Sequence, residues 1–224
     1  MNRYKDREIE TIFSKVFQLG SLAEQALADA MWALANRDRA LALKIREGDD
    51  TVDELAAEIN AVSFATIARH QPVAFDLRAL EAAIRMALDL ERIADYAVNI
   101  ARLAGRMETV VEPPEGLRVM GGLVLRMLGE AMRALRNRDL ATAEAVFPLD
   151  DELDDREGEV FSLLLGRVIE KSELTNEVYG LISAARILER AGDHVTNICE
   201  QICYMVAGKR VKASSYRRPK AETR

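Results

Sequence analysis

Aromatic side chains are scarce in this sequence, at 5% of 224 residues, and only five prolines and twelve glycines punctuate it. A turn-rich β architecture draws on all three, so such folds are excluded. Only two histidines occur. Neither stands beside an obvious nucleophile, which leaves acid–base and covalent catalysis little to work with. The two cysteines, Cys199 and Cys203, lie one helical turn apart and form no Cys/His zinc spacing. They read as buried, reduced thiols rather than as a redox or metal pair. No apolar run reaches the roughly 20 residues that span a bilayer. The opening residues, Met1-Asn2-Arg3-Tyr4-Lys5-Asp6, lack a signal-peptide core. A cytoplasmic location without direct membrane insertion is the expectation.

What is present is aliphatic and charged: 49% of residues are apolar and 30% are Asp, Glu, Lys or Arg. That profile suits helix bundles. Charge is uneven. Residues 209–224 hold seven Lys/Arg against one Glu, so a chain of net charge −6 carries −12 over residues 1–208. An acidic body excludes broad nucleic-acid binding. The tail, from Lys209-Arg210-Val211-Lys212 to Arg217-Arg218-Pro219-Lys220, suits contact with an acidic partner or a membrane surface. The plainer expectation is a flexible, solubilising end.

Three blocks occur twice, in the same order, about a hundred residues apart. Ala33-Leu34-Ala35-Asn36-Arg37-Asp38 is echoed by Ala134-Leu135-Arg136-Asn137-Arg138-Asp139. Asp50, Asp53 and Glu54 are matched by Asp151, Asp154 and Asp155. Leu90-Glu91-Arg92-Ile93-Ala94-Asp95 with Asn99-Ile100 returns as Leu188-Glu189-Arg190-Ala191-Gly192-Asp193 with Asn197-Ile198. This is an internal repeat.

Helical periodicity predicts six helices, at about 6–36, 38–70, 73–107, 115–137, 139–171 and 174–208. Asp38 and Asp139 are candidate N-caps after tight connections. Pro72 breaks the second helix from the third, and Glu112-Pro113-Pro114-Glu115-Gly116 separates the repeats. Short connections imply antiparallel neighbours. The expected fold is all-α: two tandem antiparallel three-helix bundles, over 1–111 and 112–208, then the basic tail 209–224. Helices of that length are rods of roughly 45 Å, so an elongated molecule is expected.

Helical geometry then places the acids. Val52, Leu55, Ala56, Ile59 and Val62 form one apolar stripe, with Asp50, Asp53 and Glu54 on the opposite arc. On the next helix Leu90, Ile93, Ala97, Ile100 and Ala104 form the stripe, while Glu91, Asp95 and Asn99 project from another face. A hairpin turning near Gln71 puts Asp50 level with Ile93 and Asp53 level with Leu90. A turn near Lys171-Ser172-Glu173 likewise puts Asp151 level with His194 and Asp154 level with Ala191, beside Glu189 and Asp193. Carboxylates gathered at one level repel, which raises some of their pKa values. A hard cation relieves that repulsion, and oxygen-rich clusters suit Mg²⁺, Ca²⁺, Mn²⁺ or iron. The competing reading is a solvated face in which Arg92 reaches Asp89 or Asp95, and Arg190 reaches Asp193. His194 is a possible extra ligand, but its counterpart in the other half is Tyr96.

These residues resemble the PhoU family of phosphate-uptake regulators. The likeness runs from the first Asn-Arg-Asp turn to Ile198. It is carried by Gln71-Pro72-Val73-Ala74, Asp76-Leu77-Arg78, Leu90-Glu91-Arg92-Ile93 with Asp95, and Glu189-Arg190-Ala191-Gly192-Asp193. The resemblance implies tandem three-helix bundles, often dimeric, that hold metal ions or small metal clusters on their acidic motifs. Carried over residue by residue, the ligand candidates are Asp50, Asp53, Glu91, Asp95 and Asn99, then Asp151, Asp154, Glu189, Asp193 and Asn197. Candidate metals are Mg, Mn, Zn or Fe.

The resemblance also implies a non-enzymatic adaptor that restrains phosphate uptake and phosphate-starvation signalling. Its partners would be the ATPase subunit of a phosphate ABC transporter and a phosphate-sensing histidine kinase. Asn176-Glu177-Val178-Tyr179 does not reproduce Ala74-Phe75-Asp76-Leu77, so the halves need not be equal in function. The alternative is a metal-dependent helical-bundle enzyme, a di-metal oxidase or a phosphohydrolase. Inward Glu-x-x-His motifs of the ferritin-like kind are missing from the sequence. A purely structural scaffold is the third reading.

Overall fold

The computed structural model describes residues 3–106, 111–170, 174–216 and 218. All regular structure among them is helical. The first half comprises α1 (Arg3–Asn36), α2 (Arg39–Glu47), α3 (Asp49–His70) and α4 (Ala74–Arg106). The second comprises α5 (Glu115–Asn137), α6 (Leu140–Glu144), α7 (Phe147–Glu170) and α8 (Thr175–Ala207), followed by a 3-10 turn at Ala213–Ser215. Each half is a three-rod bundle whose middle rod is broken in two.

The boundaries follow from local chemistry. Asp38 accepts a hydrogen bond from the Leu41 amide, and Asp139 accepts from the amides of Ala141 and Thr142. Both therefore cap the rods that follow them, and each answers amides the helix cannot pair internally. Gln71 ends α3 with a left-handed backbone, φ 46°, and Pro72 prevents its continuation.

Two breaks depart from the six-helix expectation. Gly48 ends α2, its amide bonding the carbonyls of Lys44 and Ile45, and α3 restarts at Asp49. A glycine there weakens the helix enough for the chain to change direction. The matching break falls between Glu144 and Phe147. Pro148 has no amide to continue the α6 ladder and sits instead in the first turn of α7, where none is needed.

Both halves share one continuous core. α4 packs along α8 and α1 packs along α5, so the bundles lie side by side. Buried positions on α4 recur as Leu80, Ala83, Ala87, Leu90, Ala94, Ala97 and Ala101, the spacing of an apolar stripe. The thiols of Cys199 and Cys203 are free and buried on α8. Burial pushes both up, Cys203 to about 11, so neither is a nucleophile at neutral pH.

The basic tail does not stand apart over its described part. Gly208 (φ 70°) turns the chain back, a conformation that suits glycine. Ala213 is buried, and its amide donates to Glu200 Oε1 at 2.7 Å. The Tyr216 ring tilts onto Phe147 with centroids 4.9 Å apart, and its hydroxyl donates to Glu144 at 3.0 Å. Residue 217 and residues 219–224 lie outside the described part.

Gly192 stands where the first half has Ala94. A Cβ there would sit 2.4 Å from Leu153 Cδ2 and 3.2 Å from Asp150 Oδ1, and Leu153 is itself fully buried. Gly192→Val is expected to destabilise the fold by about 1–3 kcal/mol through overpacking. Urea unfolding measures the loss, and an unchanged midpoint would contradict this packing.

Candidate metal centre

The break at Gly48 makes Asp49 the first residue of α3, and Asp53 follows one turn later on the same face. α4 contributes Asp95. One carboxylate oxygen from each of Asp49, Asp53 and Asp95 lies within 4.8 Å of the other two. Metal–oxygen bonds of roughly 2.0–2.6 Å put ligands on opposite sides of a cation ~4–5 Å apart, so the three fit one coordination sphere. Oδ1 of Asp49 is buried and has no hydrogen-bond partner. A buried unanswered oxygen is costly, and more so on a carboxylate. A hard cation suits this donor set.

Electrostatics agree with the geometry. Burial raises the pKa of Asp49, and the charges of Asp53 and Asp95 raise it further. Glu91, on the turn before Asp95, is also raised by burial, with Asp95, Asp53 and Asp49 adding against the pull of Arg92. Arg92 Nη1 donates to Asp95 at 2.9 Å and Nε lies 3.9 Å from Glu91. Arg102 also pulls on Asp49, but two exposed arginines screen four carboxylates only in part.

The other sequence-derived candidates lie differently. Asp50 is exposed; Asp49 takes the place expected of it, because a residue four before Asp53 lies nearer its face of the helix than one three before. Asn99 Oδ1 accepts from Arg102 at 2.9 Å. In the second half Glu189 is raised by burial, then by Asp193, Asp154 and Glu157, with Arg190 opposing. These acids therefore gather around α8 as Asp53, Glu91 and Asp95 do around α4. Asp151 Oδ2 accepts from the Arg218 amide at 2.7 Å, and the Arg218 guanidinium reaches Asp155 at 3.2 Å. Asp150, counterpart of Asp49, is only 1% exposed. Among the described residues, the three-oxygen arrangement occurs in the first half alone.

Asp49 and Asp150 were missed in the sequence, although each stands four residues before an expected ligand. Asp89, a possible partner of Arg92 on sequence grounds, turns instead to α8. It accepts from Asn197 Nδ2 at 3.4 Å and bonds His194 Nδ1 at 2.8 Å, while the Tyr96 hydroxyl lies 3.5 Å from His194 Nε2. Asn197 and His194 thus serve the seam between α4 and α8, where Tyr96 and His194 meet with ring centroids 5.6 Å apart.

The profile of the PhoU domain matches residues 16–104 and again residues 117–202. The chain belongs to the PhoU family. Among curated relatives, the phosphate-specific transport system accessory protein PhoU homolog of Clostridium acetobutylicum is 32% identical over 92% of this chain and 95% of its own length. The Caulobacter vibrioides protein of the same description is 34% identical over 96% and 94%. The crystal structure of PhoU from Pseudomonas aeruginosa superposes with a TM-score of 0.87 at 33% identity, covering 91% of this chain and 99% of that one. Relatives of this PhoU-family chain are named as accessory proteins rather than as enzymes. No described helix is long and apolar enough to cross a membrane.

In chelated protein, the raised pKa values of Asp49 and Glu91 keep protons on the folded chain that the unfolded chain has released. The share of Glu91 is fully present below its ordinary value of 4.5 and that of Asp49 below 3.8, and each is lost as pH rises through the raised value. Glu91→Gln is therefore expected to flatten this decline. At pH 7 it should raise metal-free stability by a few tenths of a kcal/mol, since the site is partly solvated. A variant less stable than wild type at pH 7 would show that attraction, not repulsion, dominates there.

Proposed function

We propose that this chain is a metal-binding adaptor that restrains phosphate uptake and phosphate-starvation signalling from the cytoplasm. Family membership along almost the whole chain supports the phosphate-transport role, because relatives of similar length bear that description. The observation that carries the metal is the buried, unpartnered Oδ1 of Asp49 beside Asp53 and Asp95. Asp49 and Asp53 on α3 and Asp95 on α4 would hold a divalent cation, with Glu91 beside them, and the cation would supply charge neutralisation. The protein's own part is to bring two rods together at one level. Arg92 then trims the excess charge.

The second site is read as Asp154, Glu189 and Asp193, with Asp150 beneath them. The partners proposed are the ATPase subunit of a phosphate ABC transporter and a phosphate-sensing histidine kinase, met by a homodimer. Relatives named as accessory proteins weigh against the di-metal oxidase or phosphohydrolase.

Mn²⁺ titrated into chelator-treated protein is expected to bind at micromolar concentration. Asp49→Ala with Asp95→Ala should remove the first-half site, while Asp50→Ala should leave it in place. In cells, the double variant is expected to express phosphate-starvation genes in phosphate-rich medium. Uptake of no Mn²⁺, Mg²⁺, Zn²⁺ or iron by the wild type would remove the metal from this reading. Full repression in a strain lacking the protein would remove the regulatory role.

A further inference from the structure

Four arginines line one cavity of about 270 Å³ between α2 and the C-terminal part of α4: Arg39, Arg46, Arg102 and Arg106. Ala42 and Ala101 lie among them, and Gly105 leaves its floor open, with nothing within 4 Å of where a Cβ would stand. Arg102 donates to the neutral amide oxygen of Asn99. Among the described residues no carboxylate is paired with Arg39, Arg46 or Arg106. Charges of one sign so grouped repel, and among the described residues no acid lines the cavity, although the charge of Arg102 also acts on Asp49.

Helix dipoles do not account for the arrangement. Arg106 at the end of α4 and Arg46 in the last turn of α2 stand where the dipole favours a cation. Arg39, however, stands in the first turn of α2, where the dipole disfavours a cation. Its position there is left unexplained by its own helix.

The repeat supplies an independent observation. By the register of the matched blocks, Arg39, Arg46, Arg102 and Arg106 correspond to Leu140, Phe147, Glu200 and Tyr204. That second groove is filled by the chain's own tail: Ala213 on Glu200, and Tyr216 on Phe147 and Glu144. The same fold position is therefore an occupied seat in one half. In the other, no described residue fills it, and an arginine stands where the second half has Glu200.

We propose that the groove between α2 and α4 is an oxyanion site that takes a phosphoryl group, either free phosphate or a phosphomonoester. Guanidinium forks match the oxygens of such a group two at a time, and a dianion neutralises more of the cluster than a single carboxylate does. The volume lies just below the 300 Å³ at which drug-sized pockets begin, which suits a small polar group better than a long segment. The site requires no cation; Arg102, whose charge also acts on Asp49, links it to the carboxylate centre.

The test is isothermal titration of the chelator-treated full chain with inorganic phosphate, with glycerol phosphate and with a Glu-rich peptide. Arg46→Ala with Arg106→Ala is expected to weaken phosphate binding about a hundredfold, roughly tenfold for each charged hydrogen-bonding group removed. Both side chains are exposed, so the fold should persist, checked by circular dichroism. Arg133→Ala, whose partner is Glu130 on α5, should change nothing. Tighter binding of inorganic phosphate identifies the free ion as the ligand, and tighter binding of glycerol phosphate identifies an ester. Binding of neither at millimolar concentration, unchanged binding in the double variant, or binding of the acidic peptide alone would overturn the proposal. Because no metal is present, these outcomes are independent of whether the carboxylate site binds Mn²⁺.

Discussion

Close packing of α4 against its neighbours is the constraint from which the remaining architecture follows. α4 touches α1, α2, α3 and α8, and more than half of its buried positions are alanine. Small side chains let several rods approach one rod closely, and the resulting contacts are dense even though each is weak. Larger residues such as Leu80, Leu90 and Ile93 then fix the register. With register fixed, the polar face of α4 has little freedom, and Glu91 and Asp95 meet whatever α3 presents at their height.

What α3 presents follows from its own phase. Asp49 lies four residues before Asp53 and about 40° from it around the helix, whereas Asp50 lies about 60° away on the other side. The carboxylates stay together against their own repulsion because the apolar stripes of α3 and α4 hold the two backbones. Local electrostatic cost is therefore met by distant aliphatic burial, a division common at binding sites. The second half follows the same plan with different neighbours, since Gly192 leaves space where Ala94 has a methyl, and Arg218 lies over Asp151 and Asp155.

Much of this was legible in the sequence. The duplicated Leu-Glu-Arg blocks, the capping Asp38 and Asp139 and the breakers at Pro72 and Pro113-Pro114 announce two three-rod bundles. Hairpin arithmetic brings Asp53 towards Glu91 and Asp95. Arithmetic of that kind carries an uncertainty of one helical position, and Asp49-Asp50 is a pair in which one position decides which acid faces inward. The breaks at Gly48 and Ala145-Val146 depend on packing against α4 and α8 as much as on propensity, so periodicity alone runs through them. The tail's seat was illegible for a different reason: its contacts with Glu144, Phe147 and Glu200 join residues far apart in the chain. The arginine groove was hidden likewise, its members divided between α2 and α4.

Tyr96 and His194 occupy corresponding positions in the two repeats, yet they touch each other. Residues that meet their own counterparts mark the line of a twofold axis. The chain thus carries an internal pseudo-dyad through the seam, and each polypeptide already has the geometry of an isologous pair. That face is spent within the monomer, so any association with another copy must employ a surface lying off this axis.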